Sequence, residues 1–573
     1  MCGIFVSITR DCAQSPDQTE IDLLKARGPD SYRVVTVTVT PACPGDGDRS
    51  TVSGLTYLTF ASSVLALRGE FVQQQPLTDP STGSILCWNG EAWKVNGNPL
   101  PGNDSATVFD LLLSAARPAS RGCEERIVDV LTSIAGPFAF VFYDGLSSTM
   151  YYGRDRLGRR SLLVQGMDDG SLTLCSTLAN RLRGCSAEVS TDAIHCLRLR
   201  LDSRMSTKLA WPEGARAINT AVPRMISISS TPSSPCVAAL LQKLRDSLRL
   251  RVLNIPRHAV SQTEKSSARI AILFSGGLDC TLLARLTDEL VAEDESIDLV
   301  NVAFENPRLI AGHKDVLVSA YERCPDRRTG RASFAELCQA SPHRTWRFVA
   351  VNVPYTEVLL HKSTVIRLMH PHNTEMDLSI AMALFFAARG QGFPTSSHHI
   401  SPPSEIYSTT ARVLLSGLGA DELFAGYSRH SAAFARGGFA DLVHELELDF
   451  NRIGSRNLGR DDRVMSHWSK EVRYPYLDED VVRFALDLPV WEKCGFRLGR
   501  KLPKQHEDDA PQIETIEDLE PAKMLLRIAL WRLGLKKVAA ERKRAIQFGA
   551  RTAKMGIGRG KTKGTDVVLP DDA

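Results

Sequence analysis

No run of apolar residues in this chain is long enough to cross a bilayer. Its first ten residues lack the charged start and extended apolar core of a secretory signal, so no export is expected. The thirteen cysteines form no CxxC pair and no finger-like Cys/His spacing, which argues against both a disulfide framework and a structural zinc site. Neither sign of charge dominates: the formal net charge is +3, with 24% charged and 43% hydrophobic residues, so nothing general points to a nucleic-acid or membrane partner. No internal repeat is visible. What remains is a globular chain of 573 residues, long enough for two or three domains and suited to a reducing cytosol, with the nucleus not excluded. Its oligomeric state is left open.

Texture divides the chain. Up to about residue 205 it reads as strand-rich, with alternation over Val34–Val39 and further strands at Ser84–Trp88, Phe138–Tyr143, Met150–Tyr152 and Leu172–Cys175. The proline- and serine-rich span Trp211–Pro235 reads as a linker. From Val237 strands alternate with helices, the signature of a mostly parallel sheet. Leu240, Leu241, Leu244, Leu248 and Val252 form a helical stripe, Leu299–Phe304 and Arg347–Val353 read as strands, and Leu378–Ala388 as a buried helix. Stretches near 306–345 and 390–410 read as loops, with His398 and His399 as solvated loop histidines. The acid-rich stretch 506–520 reads as a flexible loop. The basic stretch 536–563 is expected in part to serve the active site, and Gly556–Thr562 imitates a phosphate loop but lacks its first glycine and a preceding strand.

The most informative segment runs from Ile270 to Asp279. An apolar run reaches Ser275-Gly276-Gly277-Leu278-Asp279 and a helical pattern follows. Glycines there bring backbone N–H groups close to an anion, the helix start adds its positive end, and Asp279 supplies a carboxylate for a polyphosphate-bound cation. Alone, the motif fits an ordinary strand–helix turn equally well. The second motif, Ser416-Gly417-Leu418-Gly419-Ala420-Asp421-Glu422, again follows an apolar run, Ala411–Leu415. Two such strand ends facing one crevice at the carboxyl edge of a parallel sheet would bind a nucleotide, with Asp279 and Asp421 sharing one Mg²⁺.

A second chemistry is suggested at the start of the chain. Once Met1 is removed, Cys2 would carry both a thiol nucleophile and an α-amine base. Taken by itself, Cys2 reads first as a small buried cysteine at a strand start. Around it, the sequence offers Arg27 of Arg27-Gly28-Pro29-Asp30 as a carboxylate clamp, Asn89 and Gly90 as oxyanion donors, and Glu91 and Asp104 as ammonium anchors. Together these describe a glutamine site.

These blocks resemble, in order and over nearly the whole chain, those of the glutamine-dependent asparagine synthetases. Gln75-Pro76-Leu77, Arg154–Gly158, Gly426-Tyr427, Arg473–Asp478 and Lys523–Arg527 fit further family blocks. The resemblance implies an α+β class II (Ntn-type) glutamine amidotransferase sandwich over 1–205 and a linker over 206–235. It then implies an α/β parallel-sheet ATP-pyrophosphatase (PP-loop) domain over 236–555 and a basic tail over 556–573. It also implies Cys2 as the glutaminase nucleophile and Arg27, Asn89, Gly90, Glu91 and Asp104 as glutamine ligands. Around ATP it places Ser275, Gly276, Gly277, Leu278, Asp279, Ser416, Gly417 and Asp421, with either Lys543 or Arg544 facing the phosphates. ATP and Mg²⁺ would be the cofactors, Asp279 and Asp421 the metal ligands, and glutamine and aspartate the other substrates.

Three departures are visible. Leu418 stands where the family carries a glutamate, Cys280 replaces a serine, and the phosphate-facing lysine block is offset by one residue. This pattern is closer to the divergent asparagine synthetase domain-containing proteins. It leaves two readings open: an amidotransferase that joins nitrogen to a carboxylate, or a nucleotide-binding pseudo-enzyme acting as an interaction module.

Overall fold

The structure is a computed structural model. It describes residues 2–10, 12–40, 55–118, 122–167, 169–179, 185–199, 205–212, 217–222, 233–256, 267–310, 319–397, 405–497, 514–555 and 563–568. His398, His399, the acidic residues 507–509 and the Gly556–Thr562 segment lie outside them. No helix among the described residues is long and apolar enough to cross a membrane.

The chain forms two compact units. The first comprises residues 1–213 together with 364–373 and 453–470; the second comprises 214–363, 374–452 and 471–573. The linear partition at 205 and 235 therefore differs from the fold in two respects. The strand Met205–Ala210 pairs with Ala193–Arg198 and belongs to the first unit. Two later segments also join that unit. One carries the helix Leu458–Ser466, in which every residue is buried, Arg460, Asp461, Asp462 and Arg463 included. A helix buried through its charges shows no apolar stripe, so hydrophobic periodicity cannot assign it to a core.

The first unit stacks two six-stranded antiparallel sheets. Along the strand Gly3–Thr9, Ile4, Val6 and Ile8 point one way and meet Ile85, Cys87, Val141 and Met150 of the other sheet. Phe5 points the opposite way, onto Leu24 of the helix Gln18–Arg27. This is the two-residue period of a strand packed on both faces. The outer face of the second sheet, with Trp88, Phe140 and Phe142, is covered by the helices Asp104–Ala116 and Cys123–Ser133. The result is a four-layer sandwich, two sheets between helices, as the alternating strands imply.

The second unit is built on a seven-stranded sheet. Its five parallel strands lie in the spatial order Trp346–Val353, Ile297–Phe304, Ile270–Leu273, Val413–Leu415, Glu471–Arg473. The first strand in sequence, Ile270–Leu273, is thus central, with its successor on one side and a later strand on the other. Connections leave in opposite directions at this point and open a crevice at the carboxyl ends. Both glycine-rich loops emerge there.

The two stretches read as loops are partly regular. Pro325–Ala340 is a helix of 16 residues, and Gln391–Ser396 and Tyr407–Ser408 add antiparallel strands to the sheet edge. The helix was hidden because it buries Asp326, Arg327, Gly330, Ser333, Glu336 and Leu337, a face with a single large aliphatic residue. Pro325 and the acid Asp326 in its first turn signal where it starts.

Candidate functional site

Each unit brings together some of the residues singled out in the sequence. In the second unit, Ser275, Gly277, Leu278 and Asp279 from the first loop line a pocket with Asp421, Gly426, Lys523, Arg527, Arg542, Lys543 and Arg544. Gly276, Ser416 and Gly417 shape the loops behind it. Gly276 has φ +82, and a Cβ there would lie 2.5 Å from the backbone nitrogen of Gly330, so the loop and the helix Pro325–Ala340 meet through glycine alone. Ser333 of that helix donates to the Gly276 carbonyl at 2.6 Å, and the Tyr476 hydroxyl donates to the Asp279 carbonyl at 3.2 Å.

Asp279 and Asp421 converge, as the two loops require. The cation they share in the structure is the ammonium of Lys523, 2.6 Å from Asp279 Oδ2 and 2.7 Å from Asp421 Oδ1. Lys543 makes a second ion pair, with Asp421 Oδ2. Gly426 makes room for this cluster: a Cβ there would sit 1.9 Å from Asp421 Oδ1 and 2.2 Å from Lys523 Cε. Lys523 and Ala425 both hold left-handed backbone angles, with φ of 56° and 59°. Such conformations cost about 1–3 kcal/mol each in non-glycine residues and persist where surrounding contacts impose them.

The charges are unevenly held. Burial raises the Asp279 carboxyl, with Lys523 opposing and the Asp421 charge adding to the rise. Burial also acts on Asp421, but Lys523 and Lys543 together overcome it and hold that carboxyl well below its usual range. Asp421 has two ammonium partners and Asp279 has one, which accounts for the opposite directions. Asp279 Oδ1 is buried without a hydrogen-bond partner among the described residues. A buried orphan carboxylate oxygen beside a second aspartate suits a hard divalent ion that completes its shell with phosphate oxygens. Among the described residues no group of three or more His, Cys, Asp or Glu side chains could hold a metal, so the described residues offer such an ion these two carboxylates here.

Both candidates for the phosphate-facing cation reach the pocket. Lys543 contacts Asp421 and lies 4.1 Å from the centroid of the Tyr427 ring, while Arg544 donates to Thr329 Oγ1 at 2.9 Å. Tyr427 in turn donates to Glu422, whose carboxyl is raised by burial. The Cys280 thiol turns back onto the Gly277 carbonyl at 3.3 Å, so it braces the loop from within. Asp326 and Thr329, which line the same pocket, escaped the sequence reading because their helix did.

In the first unit Cys2, Asn89 and Gln75 lie together. Cys2 directly precedes the strand Gly3–Thr9, its N–H donates to Asn89 Oδ1 at 3.0 Å, and Gln75 Nε2 lies 3.8 Å from its sulfur. Asn89 Nδ2 is buried without a partner among the described residues, as an oxyanion donor awaiting its oxygen would be. Gly90 follows in the same strand.

The substrate-holding half is different. Arg27 is fully buried, and its guanidinium is taken up by Asp462 at 2.8 Å, by Ser466 Oγ and by the Cys2 carbonyl at 3.3 Å. One guanidinium nitrogen of Arg27 is thus engaged by an internal carboxylate. Asp104 Oδ2 accepts from Trp88 Nε1 at 3.1 Å and Ala92 N at 2.7 Å, and burial raises its carboxyl. Glu91 pairs with Arg68 at 3.4 Å.

Comparison with known proteins adds context. The asparagine synthase family profile matches residues 397–443 and 437–554. The chain is 31% identical over 658 residues to asparagine synthetase domain-containing protein 1 of Bos taurus, covering 97% of this chain and 96% of that one. It is 36% identical over 520 residues to an asparagine synthetase domain-containing protein of Saccharomyces cerevisiae, covering 89% and 86% respectively. Among solved structures, a glutamine phosphoribosylpyrophosphate amidotransferase from B. subtilis in complex with ADP and GMP aligns with TM-score 0.25 and 15% identity, over 55% of this chain and 69% of that one.

Proposed function

We propose, for a chain that belongs to the asparagine synthetase domain-containing protein family, that it activates a carboxylate with ATP and converts it to an amide. The observation that carries this reading is the meeting of Asp279, Asp421, Lys523 and Lys543 beside two glycine-rich loops at the sheet's switch point. Backbone N–H groups, ammonium groups and paired acids at that place suit a triphosphate.

In this reading, the N–H groups around Gly276 and Gly277 cradle the polyphosphate while Lys543 and Arg544 offset its charge. A magnesium ion, held by Asp279 and Asp421 together with phosphate oxygens, would supply further charge neutralisation. Lys523 then exchanges its two carboxylates for phosphate. The acceptor carboxylate attacks the α-phosphorus, pyrophosphate leaves, and the acyl adenylate reacts with ammonia. Aspartate is the default acceptor by family resemblance.

Glutamine is the proposed source of nitrogen, with Cys2 as nucleophile and Asn89 Nδ2 as oxyanion donor. Arg27 does not hold the glutamine carboxylate in this reading, since Asp462 already does that office for the guanidinium. That same observation favours a second reading, in which the chain binds nucleotide but has lost amide transfer from glutamine. Pyrophosphate release with ATP, Mg²⁺ and a panel of carboxylates, beginning with L-aspartate, tests the first. Supplying ammonia in one arm and glutamine in the other separates the two units. Turnover with ammonia but not glutamine leaves the synthetase assignment standing and removes the glutaminase; nucleotide binding without turnover in either arm supports the second reading.

A further inference from the structure

Amide formation from an acyl adenylate and ammonia leaves nitrogen with a proton that a base must take. Three carboxylates line the pocket of the second unit: Asp279, Asp421 and Asp326. The first two are committed to ammonium groups. Asp326 is different. It is 93% buried by the complement of its 7% exposure, and among the described residues its carboxylate has neither hydrogen-bond nor ion-pair partner.

Its position is firmly set. Asn301 donates through one amide nitrogen to the Phe274 carbonyl at 2.8 Å and to the Asp326 carbonyl at 2.9 Å, so the residue before the glycine loop and Asp326 share one anchor. One turn later the same helix touches the loop, where Gly276 meets Thr329 and Gly330. From the other side Gly549 packs so close that a Cβ would fall 2.0 Å from Asp326 Oδ1. A carboxylate fixed from two sides, lining the pocket and influenced only by the Arg544 charge, is free to serve a group bound there.

We propose that Asp326 is the general base of the amine step, and this rests on the carboxylate-activating reading above. As the nitrogen lone pair forms the C–N bond, the bond between the acyl carbon and the adenylate oxygen breaks, its electrons leaving with AMP. The proton lost from nitrogen passes to the Asp326 carboxylate, giving amide, AMP and a protonated Asp326. Burial raises this carboxyl to about 7, with Arg544 partly opposing, so its basicity matches a neutral working pH.

The test compares Asp326→Asn with the wild-type chain in two partial reactions. Exchange of pyrophosphate into ATP, driven by L-aspartate or by whichever panel carboxylate supports it, reports activation alone. Amide formation with ammonium chloride, and hydroxamate formation with hydroxylamine, report the amine step. The expected result is exchange within about threefold of wild type, amide formation down about 10²-fold, and a clearly smaller loss with hydroxylamine, whose weakly basic nitrogen gives up its proton more readily. Equal losses in exchange and amide formation overturn the proposal, because Asp326 then serves binding or metal coordination. Unchanged amide formation also overturns it. If wild-type protein supports no exchange with any panel carboxylate, the activating reading fails first and takes this inference with it; normal wild-type exchange with an undiminished variant condemns the base alone.

Discussion

Replacing Asp326 by asparagine is expected to stabilise the second unit, and to do so much more at pH 8 than at pH 5. Burial sets the folded carboxyl at about 7 against an ordinary value of 3.8. A folded state that holds its proton more tightly than the unfolded chain enjoys that advantage below 3.8 and loses it as pH rises through about 7. A rise of that size makes the loss about 4 kcal/mol by pH 8, of which less than half has gone by pH 5. Asparagine matches the shape of the side chain and does not titrate, so the variant escapes the loss. Its advantage over wild type should therefore grow by roughly 2 to 3 kcal/mol between the two pH values. Urea denaturation, resolved by hydrogen exchange in peptides covering Pro325–Ala340, reads this difference in the right element. An advantage that is equal at both pH values, or a variant less stable at pH 8, would refute the picture of a desolvated and unpartnered acid.

Other consequences follow from the same geometry. Asp462→Ala strands the Arg27 guanidinium in the interior and should destabilise the first unit by about 3–5 kcal/mol, seen as a lower urea midpoint for its sheets; a change below 1 kcal/mol would mean the pair is not buried as described. Gly426→Ala drives a methyl into the Asp421–Lys523 pair and should abolish ATP binding by calorimetry while the far-ultraviolet circular dichroism stays unchanged; normal affinity would contradict the packing. Cys2→Ala should stop ammonia release from glutamine and leave ammonia-driven pyrophosphate release intact, whereas persistent ammonia release would remove Cys2 from the mechanism.

Much of the fold could be read from the chain because its strands obey simple periods. Phe138–Asp144 and Thr149–Arg154 are wholly buried strands, and both were visible as short apolar runs between turn residues. The cradle was legible for the same reason: an apolar strand, glycines and an acid occur in immediate succession, twice. What stayed hidden was buried through polar atoms. The helix Pro325–Ala340 presents aspartate, arginine, serine and glutamate to the interior, and Leu458–Ser466 buries four consecutive charged residues. No scale based on hydrophobic alternation marks such segments as core, yet the first supplies Asp326 and the second closes Arg27. The partner of Arg27, Asp462, lies 435 positions away, which no local pattern announces. Lys523 was visible only as part of a block; its place between the two aspartates needed the fold.

The central claim is that Asp279 and Asp421, with the lysines between and beside them, form a magnesium-dependent polyphosphate site. Calorimetric titration of ATP with and without Mg²⁺ tests it most directly, using wild-type protein and the Asp279→Asn, Asp421→Asn double variant. The account predicts that Mg²⁺ tightens ATP binding to wild type by at least about tenfold, and that the double variant binds ATP with no gain from Mg²⁺, its lysines still attracting the phosphates. Equal magnesium enhancement in both proteins, or no ATP binding to wild type, would contradict it.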